Sequence, residues 1–190
     1  SPEYATIQSA MDIAVSGDTV LVADGIYSGE GNVILNFRTK SIVVKSENGP
    51  DNCIIDCEEE TESQAFLVNN GETDGSCIKG FTVRNAPVGI AIYNSSPTVK
   101  NNIIEDCRKG IHCDAGSNPV INSNMIRNCV GEGNGGGISL ISSSAVVSNN
   151  LLLGNSSSKG GGIYCLDGAP SIINNTIIGS SGIKDSSESN

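Results

Sequence analysis

The residues best placed for chemistry surround the only histidine of this 190-residue chain. His112 and Asp114 are two positions apart, and residues with that spacing on a strand project from the same face. Arg108 and Lys109 come just before them, at the preceding corner. One interpretation is a general base with a carboxylate partner. The other is an ordinary solvated strand face, which is favoured because the flanking positions supply small or apolar residues and no second carboxylate.

Two tyrosines add a possible carbohydrate-binding surface to this group. Tyr93 and Tyr164 would lie on the same strand row as His112 and Asp114. A tyrosine ring combines a flat apolar surface with a polar hydroxyl group. The sequence therefore offers Tyr93, His112, Asp114 and Tyr164 as candidate sugar contacts.

An acidic run is the only candidate metal site in the sequence. Asp56, Glu58, Glu59 and Glu60 could bind calcium through carboxylate oxygens. Consecutive acidic residues at a corner are more often simply solvated. No cofactor other than calcium is expected. The glycine runs 131–137 and 160–162 lack the Gly-Lys-Ser/Thr sequence of a phosphate loop and fit corners that lead into strands.

A repeated phrase defines the elements that must position these residues. The phrase is a pair of polar residues, the second of which is asparagine, with a short apolar pair on each side. Its second residue recurs at Asn102, Asn124, Asn150 and Asn175, in steps of 22, 26 and 25 residues. A Gly-Ile pair follows the same period at 89–90, 110–111, 137–138, 162–163 and 182–183. A period in the twenties is typical of a solenoid in which each repeat forms one coil.

Each coil is predicted to contain three short strands. Apolar residues two apart share one strand face, and the apolar segments are too short for helices. The predicted fold is all-β: a right-handed parallel β-helix of about six to seven three-strand coils. Ile111, Ile138 and Ile163 should form a buried row. Two outward rows on the same strands should be exposed: Ala91, His112, Ser139 and Tyr164, and then Tyr93, Asp114, Ile141 and Leu166.

The chain divides into a cap, a solenoid and a tail. Ile7, Ala10, Met11, Ala14 and Val15 have helical spacing, with Thr6 as the expected start and Gly17 as the expected end, which predicts a capping helix within 1–18. The β-helix should span 19–183, and 184–190 is a polar tail expected to be disordered. Because this tail is too polar to cap a core, the C-terminal end should be open, either in a fragment of a longer protein or in a subunit that stacks on a partner.

The asparagine and glycine repeats resemble the pectin-lyase-like superfamily, and in particular its secreted and surface proteins with β-helix repeats. The phrase Asn150-Leu-Leu-Leu-Gly-Asn-Ser-Ser-Ser-Lys-Gly-Gly-Gly-Ile163 is typical of those surface proteins, and the segments beginning at Thr6, Gly17 and Gly25 resemble the N-terminal cap of the superfamily. The resemblance implies that a site would lie on the strand row after Gly-Ile. It is specific for fold and weak for function, because the fold serves lyases, hydrolases, epimerases, adhesins and inert stalks.

Composition excludes some partners and limits the disulfides. A formal charge of −10 argues against nucleic acid, anionic lipid and strongly acidic polymers as main ligands. No apolar run is long enough to span a membrane. Among seven cysteines, Cys107 and Cys129 are the one plausible bridge, since they share a row in neighbouring coils. Cys113 and Cys165 are two coils apart, and this separation of about 10 Å is too large for a disulfide.

Two functional hypotheses follow. The first is a non-catalytic β-helix module of a secreted or cell-surface protein that serves as a structural, adhesive or self-assembling unit. Its partner would be a polysaccharide, or another protein subunit that stacks on the open C-terminal end. The second is a polysaccharide-active enzyme domain (lyase, glycoside hydrolase or epimerase) that uses His112, Asp114, Arg108 and Lys109. The scarcity of clustered catalytic groups favours the first.

Overall fold

The computed structural model describes residues 4–58, 64–180 and 183–185. After one helix, α1 (Ile7–Ile13), the chain winds through three parallel sheets of seven strands each. Sheet A contains β1 (Thr19–Val22), β4 (Val43–Ser46), β7 (Cys77–Lys79), β10 (Thr98–Lys100), β13 (Val120–Asn122), β16 (Val146–Ser148) and β19 (Ser171–Ile173). Sheet B contains β2 (Gly25–Tyr27), β5 (Cys53–Asp56), β8 (Thr82–Arg84), β11 (Ile103–Glu105), β14 (Met125–Arg127), β17 (Leu151–Leu153) and β20 (Thr176–Ile178). Sheet C contains β3 (Leu35–Asn36), β6 (Gln64–Val68), β9 (Val88–Tyr93), β12 (Lys109–Asp114), β15 (Ile138–Ile141), β18 (Ile163–Leu166) and β21 (Ile183–Asp185).

Each strand pairs in parallel with the strand three places later in the chain. Thr98 pairs with Val120, for example, and Val120 pairs with Val146. Three consecutive strands, one from each sheet, therefore form one coil, and we number the coils from the N-terminus. The predicted parallel β-helix of stacked three-strand coils is confirmed.

The core is a set of apolar rows that run along the solenoid axis. Ile111, Ile138 and Ile163 pair in register on sheet C and are fully buried, as predicted. Val99, Ile121 and Val147 form the equivalent row on sheet A, and Ile104, Ile126 and Leu152 form it on sheet B. Full burial of each such side chain contributes roughly 1.5–3 kcal/mol.

The two residues of each asparagine repeat have different roles. The first of each pair has a left-handed backbone that bends the chain between sheets A and B, with φ of 54° at Asn101 and 57° at Asn149. In the pairs that end at Asn102, Asn124 and Asn150, the second residue is buried and bonds to the next coil. The backbone N–H and the side-chain amide of Asn102 both donate to Oδ1 of Asn124, at 3.0 and 3.1 Å. The repeat thus combines a tight turn with an asparagine ladder.

The glycine of the Gly-Ile repeat is required by close packing. A Cβ added at Gly110 would lie 2.5 Å from the carbonyl oxygen of Gly137 and 2.7 Å from the side chain of Ile126. At Gly137 the equivalent contact with the Gly162 oxygen is also 2.5 Å. Any side chain here would therefore force neighbouring coils apart at the entrance to sheet C.

Helix α1 covers the N-terminal end of the core. Thr6 is its N-cap: the Thr6 hydroxyl accepts a bond from the Ser9 N–H at 3.2 Å, within a capping box. Ile7 and Met11 are buried. The prediction that Val15 packs in the stripe is wrong, and so is the prediction that Gly17 ends the helix. The helix ends at Ile13, and the Asp18 carboxylate accepts the Val15 N–H at 2.9 Å, which holds Val15 in an exposed turn.

The C-terminal end is less well covered. The inward side chains of the last strands of sheets A and B, Ile172 and Ile177, are only partly buried, whereas their equivalents one coil earlier are fully buried. On the outer face, Ile173 and Ile178 are 57% and 56% exposed. The first two residues of the predicted tail belong to β21, and 186–190 lie outside the described residues.

Candidate functional site

Sheet C brings three of the candidate residues together. Tyr93 ends β9 and pairs with Asp114 at the end of β12, and His112 lies two residues before Asp114 on the same strand. The rings of Tyr93 and His112 meet edge to face with centroids 5.6 Å apart. The fold therefore assembles a Tyr93–His112–Asp114 group, as the strand spacing predicted.

The prediction that this face is exposed is wrong for its central row. The buried residues are those of the central row, Ala91, His112, Ser139 and Tyr164, and 8% of the surface of His112 is exposed. The second row is partly exposed and consists of Tyr93, Asp114, Ile141 and Leu166. Neighbouring outward side chains are only about 4.8 Å apart and shield one another. The glycine-rich corners also pass over the sheet: a Cβ at Gly135 would lie 2.6 Å from Cβ of Ser139, and one at Gly160 would lie 2.9 Å from Cβ of Tyr164.

Burial lowers the pKa of His112 and leaves one of its nitrogens without a hydrogen bond within the described part of the chain. Burial, and then the positive charge of Lys109, lower the pKa of His112 below its ordinary value of 6.5, while Asp114 opposes them. Nδ1 of His112 and Oγ of Ser139, its register partner, are both buried without a hydrogen-bond partner among the described residues. His112 is therefore neutral at pH 7 and closed to a polymeric substrate.

We expect the buried histidine to make the fold less stable at mildly acidic pH. The pKa of His112 is lower in the folded chain than in the unfolded chain, so the unfolded chain binds more protons and stability falls as pH drops through 6.5. His112→Gln should remove this dependence between about pH 7.5 and 5. Melting temperatures of both proteins across that range test this. An NMR titration of the single histidine with a midpoint above 6.5 would contradict it.

Arg108 and Lys109 lie in a separate place, at the corner between sheets B and C. Two adjoining recesses of about 340 and 390 Å³ share Pro87, Arg108 and Val130 in their walls. Lys109 and Glu132 line the second recess. Sequence reasoning missed this surface, which crosses three coils and combines cationic, acidic and apolar groups.

The predicted site residues therefore divide between two locations. Lys109 and Asp114 lie at opposite ends of β12, about 16 Å apart along the strand. Tyr164 is two strands from His112, because Ser139 pairs with both, so its ring belongs to a more distant part of the face. The structure groups Tyr93, His112 and Asp114, and it places Arg108 and Lys109 in the recess.

Asp56, the first of the acidic candidates, is bonded to other side chains. The Asp56 carboxylate accepts bonds from Nε of Arg84 and Nδ2 of Asn85, both at 2.8 Å. Burial raises the pKa of Asp56, but these bonds and one from the Glu58 N–H outweigh it and lower the pKa below its ordinary value. Glu59 and Glu60 lie outside the described residues. Within the described residues, no three His, Cys, Asp or Glu side chains cluster in a way that could hold a metal ion.

The family model for the right handed beta helix region matches residues 19–184, from β1 into β21. The chain belongs to the right-handed β-helix family. This fold is consistent with the pectin-lyase-like superfamily. No curated protein and no solved structure matches the chain.

Family membership fixes the architecture of this right-handed β-helix and leaves its activity open, since function depends on the residues grafted onto a fold. No helix in the described part of the chain is long and apolar enough to cross a membrane.

A buried carboxylate in the β-helix also escaped sequence reasoning. Glu72, at the corner after β6, accepts bonds from the N–H groups of Asn70 and Thr39 at 2.8 and 3.0 Å and from the Ser95 hydroxyl at 2.9 Å. Burial raises the pKa of Glu72, but these bonds lower it overall. Ser95 begins a buried serine column that continues through Ser117 and Ser143. Its spacing of 22 and 26 residues, the same as that of the asparagines, was the available signal.

Proposed function

We propose that this β-helix is a non-catalytic structural module of a secreted or cell-surface protein and that its C-terminal end stacks on another subunit. The observation that carries the proposal is the exposure of apolar side chains on β19 and β20, the last strands of sheets A and B. An open end with apolar groups and unpaired strand edges favours association.

The backbone of these strands supports the same proposal. The Ser171 N–H donates to the Ala145 oxygen, and the Ile173 oxygen accepts the Asn149 N–H, both in the preceding coil. Since alternate residues of a parallel strand bond to opposite neighbours, the backbone groups of Ile172 point to the free edge. No described strand pairs with that edge of β19 or β20.

The asparagine ladder reaches the same end. The Asn150 N–H and side-chain amide donate to Oδ1 of Asn175, both at 2.9 Å. In each earlier coil the backbone N–H of the ladder asparagine bonds to the amide oxygen of the next coil. Asn175 is the last such residue that is described, so an incoming subunit with a carbonyl or amide oxygen there would extend the ladder.

The state of the candidate catalytic groups supports a structural role. His112 is neutral and buried beneath neighbouring side chains, and the cations that would assist it lie in another recess. General acid–base chemistry needs a group within hydrogen-bond reach of its substrate. This arrangement offers no such reach.

Lysines on the outer face of the last strands should block stacking. We expect the double variant Ile173→Lys/Ile178→Lys to fold and to lower association by at least about tenfold, because edge lysines prevent strand pairing. The matched control is Val146→Lys, a partly exposed position one coil earlier on sheet A. Light scattering and negative-stain microscopy measure the assemblies. Equal association of the double variant and the wild type would contradict the proposal.

Carbohydrate binding is the second candidate, and the recess favours it. Arg108 and Lys109 could bind the carboxylate of an acidic sugar while Pro87 and Val130 contact its ring. Titration calorimetry should detect binding of an oligouronate, and Arg108→Ala should weaken that binding at least tenfold. The control is Tyr164→Phe, which lies outside the recess and should leave the affinity unchanged. Absence of heat at millimolar ligand would exclude this candidate.

A further inference from the structure

Two cysteines face each other in the middle of the solenoid. Cys107 follows β11 in coil 4, and Cys129 follows β14 in coil 5. Because Glu105 pairs with Arg127 in register, the residues two positions later are also neighbours across the coils. Both cysteines are buried, and both are unbridged thiols.

Local contacts hold the two thiols in one column. Sγ of Cys107 contacts the Glu105 oxygen at 3.2 Å, and Sγ of Cys129 contacts the Arg127 oxygen at 3.5 Å. The Cys129 N–H donates to Oδ1 of Asn155, which occupies the same place in the next coil, at 3.0 Å. The thiols therefore lie at the position that a buried asparagine, Asn155, occupies in the following coil, and their carbonyl contacts fix their direction.

The spacing of this pair suits a disulfide. Parallel strands lie about 4.8 Å apart, within the roughly 4.4–6.8 Å range of Cα separations that a disulfide tolerates. In the strand register, Cys53, Cys77 and Cys113 each pair with residues other than cysteine. Leu140 separates Cys113 from Cys165, Cys53 pairs with Gly25, and Cys77 pairs with Val43 and Thr98. Cys57 lies two coils before Cys107.

A small oxidant can approach this pair from the recess between sheets B and C. Cys107 forms part of the wall of that recess, beside Arg108 and Pro87. Interaction with the Cys129 thiol, together with burial, raises the pKa of Cys107 well above its ordinary value. Because the thiolate is the attacking species, oxidation should be slow at neutral pH and faster at alkaline pH.

We propose that Cys107 and Cys129 form a redox-sensitive staple that a small disulfide converts from two thiols to a bond between coils 4 and 5. The Cys107 thiolate attacks a sulfur of the small disulfide, forms a mixed disulfide and releases one small thiolate. The Cys129 thiolate then attacks the Cys107 sulfur and releases the second. Two protein thiols are oxidised, and the small disulfide is reduced to two thiols.

The bond would tie two coils whose residues also form the wall of the recess. Arg108 follows Cys107, and Val130 follows Cys129. Oxidation should therefore stiffen the recess and raise the melting temperature, because closing a loop between positions 107 and 129 restricts the unfolded chain.

To test this proposal, the native protein is incubated with bis(2-hydroxyethyl) disulfide at pH 7 and at pH 9. The protein is then denatured, its remaining thiols are alkylated, and it is cut with trypsin. Trypsin separates Cys107 into 101–108 and Cys129 into 128–159, each with one cysteine. We expect a disulfide to link these two peptides and to form faster at pH 9 than at pH 7. The melting temperature of the oxidised protein should rise by roughly 5–10 °C.

Two variants separate the staple from general effects of oxidation. Cys107→Ser should abolish both the link and the rise in melting temperature, whereas Cys113→Ser, another buried cysteine, should keep both. The proposal is overturned if both cysteines of the oxidised folded protein are recovered alkylated, if either pairs with a different cysteine, or if the melting temperature does not rise.

Discussion

Replacing Ile138 by aspartate should unfold the protein at room temperature. Ile138 is fully buried between Ile111 and Ile163 in the sheet C row. The change removes a core side chain, at about 2–5 kcal/mol, and adds an unpaired buried carboxylate, at several more. That sum is comparable with the roughly 5–15 kcal/mol stability of a typical domain. Circular dichroism should show loss of strand signal and of a cooperative melt.

An isoleucine outside the core provides the control for this substitution. Ile26 on β2 is 66% exposed, and Ile26→Asp should melt within a few degrees of the wild type. An Ile138→Asp protein that melts as the wild type does would show that the strand register on sheet C is wrong.

Replacing Asn124 by leucine should have the second-largest effect. Asn124 is buried; its Oδ1 accepts the Asn102 N–H and side-chain amide, and its Nδ2 donates to the Val99 oxygen and to Oδ1 of Asn150, at 3.0–3.1 Å. Leucine has a similar size but leaves these buried groups unsatisfied, at roughly 1–3 kcal/mol each. We expect a loss of about 3–5 kcal/mol in the free energy of unfolding, measured by urea titration.

The last described asparagine of the ladder provides a graded comparison. Asn175 makes the same kinds of bond but is only partly buried, so water can replace part of what Asn175→Leu removes. Asn175→Leu should therefore cost less than half as much. Equal costs at the two positions would contradict a ladder whose strength depends on burial.

The repeated positions could be predicted from the sequence because one geometric need recurs in every coil. The asparagine at 102, 124, 150 and 175 completes the same bond each time, and the glycine at 110 and 137 avoids the same collision. Phe81 occupies the equivalent position one coil before Asn102, and its N–H donates to Oδ1 of Asn102.

Burial on the outer face could not be predicted from periodicity. Strand alternation gives the direction of a side chain, and it placed Ser139 and His112 outward. It does not show what lies above them. Here the corners at Gly135 and Gly160 pass over Ser139 and Tyr164, a consequence of corner lengths that differ between coils.

The recess and the Glu72 site depend on non-repeating residues. Pro87 and Val130 occur once each at the sheet B–C corner, so no period marks them. Glu72 resembles a solvated loop acid in sequence, and only the fold brings the Thr39 N–H, 33 residues away, to its carboxylate.

Sedimentation velocity of the purified chain over a hundredfold range of concentration tests the proposed structural role most directly. Stacking at the C-terminal end predicts a weight-average mass that rises above the 19.6 kDa of one chain as concentration increases. A mass that stays at 19.6 kDa across the whole range would contradict the proposal that this end is an assembly surface.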